Sequence, residues 1–173
     1  MQRIEYENKL RALNFEHLGK GLYANVFAIP NTDKVIKVAS NDAWPDYIKW
    51  STENGYAGTF APKVYSLKFQ DGWYVAIMER LVETMKEFDL NSDQYRHYRN
   101  HIMFRHYEIP KHSTKDKPVG LMEFVQNLRD AGLAGDMHPG NVMVRKDGQI
   151  VVTDPTSREF TSERFRIKNS AFT

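Results

Sequence analysis

Cysteine is absent from the 173-residue chain. That excludes disulfides, cysteine-ligated zinc and thiol nucleophiles, and it fits a reducing cytoplasm. No apolar run is long enough to cross a bilayer, and the opening MQRIEYENKL lacks the apolar stretch of a signal peptide. Charge of one sign is also missing. The 24 Lys and Arg against 22 Asp and Glu leave a formal net charge of +2, interspersed along the chain, so nucleic acid is not an expected partner. Internal repeats and low-complexity tracts are lacking as well. Together these absences predict a soluble cytoplasmic protein with no membrane contact, and they leave its oligomeric state open.

What is present is an ordinary globular composition, with 41% hydrophobic and 27% charged residues. A chain of this length buries roughly 70% of its unfolded surface, enough for one domain or for two small lobes sharing a cleft. The first half reads as strands. Leu22 to Ile29 and Lys34 to Ala39 are rich in β-branched and aromatic residues, with Pro30-Asn31-Thr32-Asp33 between them as a turn. A short helix is expected next, opened by Pro45, closed by Asn54-Gly55 and carrying Tyr47, Ile48 and Trp50 as apolar surface. KVYSLKF and WYVAIM are two further strands around Gln70-Asp71-Gly72.

The second half reads as helix. Asn91-Ser92-Asp93 predicts a cap for a segment reaching about Tyr107, and Lys115 to Pro118 read as loop. Leu121, Phe124, Val125 and Leu128 share one helical face, ended by Gly132. The expected fold class is α+β, a compact two-lobed arrangement with a strand-rich first lobe over about residues 1–80 and a helical second over 81–173.

The stretch GDMHPGNVMVRKDGQIVVTDPTS, from Gly135 to Ser157, holds the polar residues that invite a chemical reading. Asp147-Gly148 is a hairpin turn signal between NVMVRK and QIVVTD. With those two residues as the turn, Lys146 faces Gln149, and following the register outward puts Asn141 opposite Asp154. One amide and one carboxylate oxygen would then meet at the mouth of the hairpin, with Asp136 in the preceding Pro-Gly loop as a second carboxylate. Such hard oxygen donors suit Mg²⁺, which takes one or two protein ligands and completes its shell with water and phosphate. The bland alternative is that Asp, Asn, Pro and Gly are simply loop formers.

The order Asp136, Asn141, Asp154 across a loop and hairpin resembles the catalytic loop and metal-binding motif of protein kinases and related phosphotransferases. LGKGLYANVF is similar to the family's glycine-rich strand turn at Gly19, Gly21 and Val26, with Ala24 in place of the third glycine. Lys37 in KVIKVA corresponds to the strand lysine that contacts the α- and β-phosphates. MERL resembles the hinge that hydrogen-bonds adenine, which marks Met78, Glu79 and Leu81. Within this group the D-M-H-x-G-N and T-D-P-x-S forms are most similar to the early-expressed protein kinases of short-tailed lytic bacteriophages. That resemblance implies ATP- and Mg²⁺-dependent transfer to serine or threonine of host proteins, and to the kinase itself, in the host cytoplasm.

By the same resemblance Asp136 is the base for the substrate hydroxyl, Asn141 and Asp154 hold Mg²⁺, and Lys37 holds phosphates. His138 stands where protein kinases often carry lysine and some small-molecule kinases histidine. It either offsets charge on the transferred phosphate when protonated or hydrogen-bonds its own loop. The partner of Lys37 is Glu53 or Asp46. The residues directly before Asp136 are Leu133-Ala134-Gly135 where the family has His-Arg, so activity without prior phosphorylation is expected. Pro155 replaces the usual phenylalanine after the metal aspartate and should stiffen that turn. Nineteen residues follow Asp154, with no Ala-Pro-Glu segment among them. Two other readings stand beside a protein kinase: a small-molecule kinase of the aminoglycoside or choline type, and a pseudokinase that binds a host protein without chemistry.

Overall fold

The computed structural model describes residues 2–21, 23–40, 43–83, 120–137 and 139–156. The expected helix from Asn91, the Lys115–Pro118 loop, His138 and the segment after Thr156 lie outside them. The class is α+β, and the chain divides into two compact units: Met1–Asp42 with Pro62–Leu81, and Ala43–Ala61 with Val82–Thr173.

The first unit contains α1 (Arg3–Ala12), β1 (His17–Lys20), β2 (Ala24–Ala28), β3 (Lys34–Ser40), β4 (Val64–Gln70) and β5 (Trp73–Glu79). Its strands form one antiparallel sheet in the order β1-β2-β3-β5-β4. Side chains alternate across a strand. Ile36 and Val38 therefore face α1, where they pack with Leu10, Phe27 and Trp73, while Val35, Lys37 and Ala39 take the opposite face. All five residues from Val35 to Ala39 are buried, so β3 is covered on both sides.

The strand pairs around Pro30–Asp33 and Asp71-Gly72 form as the sequence predicts; α1 was not expected. Few apolar residues point from it into the sheet, and a buried polar cluster adds to their hold. Glu7 accepts hydrogen bonds from Arg3 Nε at 2.7 Å and Asn25 Nδ2 at 3.0 Å, and Arg3 Nη1 donates to Ser40 Oγ at 2.7 Å. A buried carboxylate is tolerable when partnered in this way.

The second unit contains α2 (Trp44–Glu53), β6 (Val82–Glu83), α3 (Leu121–Asp130), a 3₁₀ turn (Pro139–Asn141), β7 (Val142–Val144) and β8 (Ile150–Val152). Its small sheet runs β6-β7-β8. Pro45 lies in the first turn of α2, and Leu121, Phe124, Val125 and Leu128 are the buried face of α3, both as predicted. Trp50, Tyr56, Phe60 and Phe124 form an aromatic cluster with ring centroids 4.9 to 6.0 Å apart.

All three described helices end in a left-handed residue: Asn14, Gly55 and Gly132. The next N–H reaches back to close the last turn, Phe15 to Leu10, Tyr56 to Ser51 and Leu133 to Leu128. This is the Schellman arrangement, which satisfies carbonyls that a helix end would otherwise leave open.

The hairpin register corrects the expectation. Val142 pairs with Val152, Met143 with Val151 and Val144 with Ile150. The Gly148 N–H donates to the Arg145 carbonyl and the Arg145 N–H to the Gln149 carbonyl, each at 2.9 Å. The loop is thus Lys146-Asp147-Gly148, a turn followed by Gly148 at φ 88°. A two-residue Asp-Gly turn would require φ above zero at Asp147 as well. Asp147 instead uses its carboxylate to accept from the Gln149 N–H at 3.0 Å. The extra loop residue shifts the register by one, so Asn141 faces Thr153 and Asp154 lies one residue beyond.

Candidate active site

The second unit brings Asp136, Asn141 and Asp154 together by a route other than facing strand positions. Asn141 Nδ2 donates to the Asp136 carbonyl at 2.8 Å, with the Asp136 carboxylate Oδ2 at 3.4 Å. The Asp136 N–H donates to the Pro155 carbonyl at 2.7 Å. The loop carrying Asp136 is therefore fastened on one side to Asn141 and on the other to the residue after Asp154.

The peptide units around Asp154 are held as well. Thr153 donates to the Asn141 carbonyl through its N–H at 2.7 Å and its hydroxyl at 3.1 Å. The Val152 N–H donates to the Phe60 carbonyl at 2.8 Å. From α2, Tyr47 OH donates to the Val152 carbonyl at 2.6 Å and Trp44 Nε1 to the Thr153 carbonyl at 2.8 Å. Arg145 reaches across the other strand end, donating to the carbonyls of Thr59 and Ala61. The Asp154 carboxylate itself accepts from the Thr156 hydroxyl at 3.3 Å.

Tyr47 is fully buried, and its phenol is pushed well above its ordinary range. Burial is the main cause; the Ser51 hydrogen bond works the other way, and the negative charge of Asp154 adds to the rise. Tyr47 therefore remains a neutral donor beside an ionised carboxylate. Sequence reading treated Tyr47 as apolar surface and passed over Trp44 and the guanidinium of Arg145. Their partners lie 84 to 109 positions away, where no local pattern reaches.

The donor set fits a magnesium ion shared with phosphate. Asn141 Nδ2 is used inside the loop, which would leave its amide oxygen to meet a metal, and Asp154 would add a carboxylate. No cluster of three or more acidic or histidine side chains able to cage a metal occurs among the described residues.

The first unit carries Gly19, Gly21, Val26, Lys37, Met78, Glu79 and Leu81. Lys37 is 6% exposed in the middle of β3, between Val26 of β2 and Ala76 of β5. Val26 and Met78 share its sheet face, opposite α1, so three of the residues singled out from sequence converge on one surface. A Cβ built at Gly19 meets nothing within 4 Å, and one at Gly21 meets only the Ala24 carbonyl at 3.9 Å. After Met78 the chain is tied at Glu79, whose N–H donates to the Lys63 carbonyl and whose carboxylate accepts from the Lys63 N–H at 2.7 Å. The Arg80 N–H donates to the Asp33 carbonyl, and Leu81 follows as the last residue of this unit.

Glu53 and Asp46 both lie on α2, in the second unit. Glu53 is exposed at the helix end and forms an ion pair with Lys49 at 3.9 Å, whereas Asp46 is half-buried in the first turn, where a carboxylate favours the helix dipole.

The sequence model of the family described as bacteriophage T7 protein kinase 0.7 matches residues 4–172. The chain belongs to that family. No curated protein matches it. No helix among the described residues is long and apolar enough to cross a membrane.

Proposed function

We propose that the protein is an ATP- and Mg²⁺-dependent serine/threonine kinase that phosphorylates host proteins and itself in the host cytoplasm. The observation that carries this reading is the lacing of Asp136, Asn141 and Asp154 through the Asn141–Asp136 and Asp136–Pro155 hydrogen bonds, at 2.8 and 2.7 Å. Ordinary turn residues have no need to gather a carboxylate, an amide and a second carboxylate.

In this reading residues 1–80 form the nucleotide-binding lobe and 81–173 the catalytic lobe of a two-lobed kinase. Gly19 and Gly21 leave the strand turn bare on its outer side, so backbone N–H groups can approach phosphates without side-chain obstruction. Lys37 places its ammonium against the α- and β-phosphates. Val26 and Met78 offer apolar contact to adenine. The hinge that would hydrogen-bond the base runs from Met78 through Glu79 to Leu81, where the Glu79 N–H donates to the Lys63 carbonyl and the Arg80 N–H to the Asp33 carbonyl. Asn141 and Asp154 hold Mg²⁺, which when bound offsets the charge on the transferred phosphoryl group. Asp136 orients the serine or threonine hydroxyl and accepts its proton, and His138, when protonated, adds positive charge near the phosphate.

The test is transfer of labelled γ-phosphate from ATP to host lysate and to the protein. The parent should label both with Mg²⁺ and neither in EDTA. Equal labelling by Asp136→Ala would sink the assignment of the base, and labelling of small alcohols or aminoglycosides in place of protein would favour the small-molecule reading.

A further inference from the structure

The segment leading into Asp154 carries an unusual set of restraints. In a regular strand, consecutive carbonyls point to opposite edges. Val152 and Thr153 instead present both carbonyls to the same helix, α2, where Tyr47 and Trp44 stand three residues apart on one face. The Thr153 N–H still points to the side of the hairpin partner, bonding the carbonyl of Asn141 just ahead of β7 at 2.7 Å, so the chain leaves strand geometry within that residue. This turn sets the direction in which the Asp154 side chain emerges.

Each backbone hydrogen-bonding group of Val152 and Thr153 has a partner, and the Pro155 carbonyl has the Asp136 N–H. Two of these partners are side-chain donors on fully buried rings. Trp44 and Tyr47 are both 0% exposed, and a buried indole or phenol without a partner is costly, so each ring has reason to keep its bond. Simple packing would be served equally well by phenylalanine at either position. The polar atoms of Trp44 and Tyr47 donate to the two carbonyls directly ahead of Asp154.

We infer that Trp44 and Tyr47 are positioning residues for the metal-binding aspartate: by fixing the Val152 and Thr153 carbonyls they set the angle at which Asp154 meets Mg²⁺. This rests on the phosphotransfer reading above. The helix thereby contributes to metal affinity without touching metal or nucleotide, while the Thr153 N–H and hydroxyl bond the Asn141 carbonyl and tie the same peptide to Asn141. A loss of either donor leaves the carboxylate present but free to swing.

The test uses the full chain and the conservative variants Trp44→Phe and Tyr47→Phe, which retain a ring and remove the donor. Mn²⁺ replaces Mg²⁺ as the probe, with its binding in the presence of ATP read by electron paramagnetic resonance. ATP binding in EDTA is measured in parallel, and thermal melting follows folding. Each variant should weaken Mn²⁺ binding by about three- to tenfold, the scale of one lost buried hydrogen bond. Metal-free ATP binding should be unchanged. Leu10→Val, a core change in the first unit, serves as a control that lowers melting temperature without altering Mn²⁺ affinity.

If both ring variants melt at lower temperature yet bind Mn²⁺ as the parent does, the residues are structural only and the inference is overturned. If metal-free ATP binding falls as much as Mn²⁺ binding, the effect is not on the metal aspartate, and it is likewise overturned. A parent chain that binds neither ATP nor Mn²⁺ would overturn the phosphotransfer reading first, and the positioning role with it.

Discussion

Asp136 anchors its loop through backbone atoms: its N–H bonds the Pro155 carbonyl and its own carbonyl accepts from Asn141. Replacing the side chain by alanine keeps both bonds. Asp136→Ala should therefore reduce phosphoryl transfer by about 10²–10⁴-fold, with a change in unfolding free energy within about 0.5 kcal/mol. Rate assays and denaturant titration on the same preparation separate the two quantities. Tyr47 behaves in the opposite manner. Its hydroxyl supports a buried carbonyl, so Tyr47→Phe should cost about 1–3 kcal/mol at neutral pH. The pH dependence follows from the raised phenol. Below about pH 10 both the folded and unfolded forms keep the proton, and the bond contributes in full. Above that the unfolded chain ionises first, so the parent loses stability as pH rises toward the folded value. The stability gap between parent and Tyr47→Phe should shrink between pH 9 and pH 11, roughly the window this sign requires. A gap that widens would contradict the neutral, buried phenol.

At the scale of elements, glycine positions divide by what they do. Gly148 adopts φ 88° in the hairpin loop, a conformation that costs L residues about 1–2 kcal/mol. Gly148→Ala should lower stability by that amount and loosen the hairpin that leads to Asp154, visible as faster amide exchange at Val151 and Val152. Gly19 has no positive φ and open space around its Cβ. Gly19→Ala should leave the melting temperature unchanged and raise the KM for ATP, which isolates a role outside the fold. What was legible in the sequence follows the same division. Pro45, Gly55 and Gly132 act within their own helix turns, so local chemistry placed those boundaries correctly. The hairpin was recognised, but Asp147-Gly148 does not specify whether two or three residues make the loop, and that single residue decides which side chains face each other. Helix α1 escaped notice because part of its hold on the sheet is the polar cluster around Glu7, which carries no apolar periodicity. The facing register that groups Asn141 with Asp154 in the sequence is not the one the hairpin adopts. Their spacing pointed to one site, while the bonds that assemble it run through backbone groups and through α2.

At the scale of the whole molecule, chain order and compact units do not coincide. Ala43–Ala61 belongs with the residues after Val82, and the chain then returns to the first unit at Pro62–Leu81. A fragment of residues 1–81 would contain α1 and all five strands of the larger sheet. In that fragment α2 would lose the carbonyls that Tyr47 and Trp44 bond, and Trp50, Tyr56 and Phe60 would lose Phe124. A ten-residue helix without tertiary packing is marginal in water. The fragment should therefore keep amide protection in β2, β3 and β5 while residues 43–61 exchange rapidly and accept proteolytic cuts, whereas the same segment is protected in the full chain. Protection of 43–61 equal to that in the full chain would show that α2 does not depend on the second unit. The fragment also retains Gly19, Gly21 and Lys37 but lacks Asn141 and Asp154. Any ATP it binds should be held with an affinity that Mg²⁺ does not strengthen, while the full chain should bind ATP more tightly as Mg²⁺ is added. Calorimetric titration of both proteins with and without the metal checks this directly, and a fragment with the same Mg²⁺ enhancement as the full chain would remove Asn141 and Asp154 from the metal site.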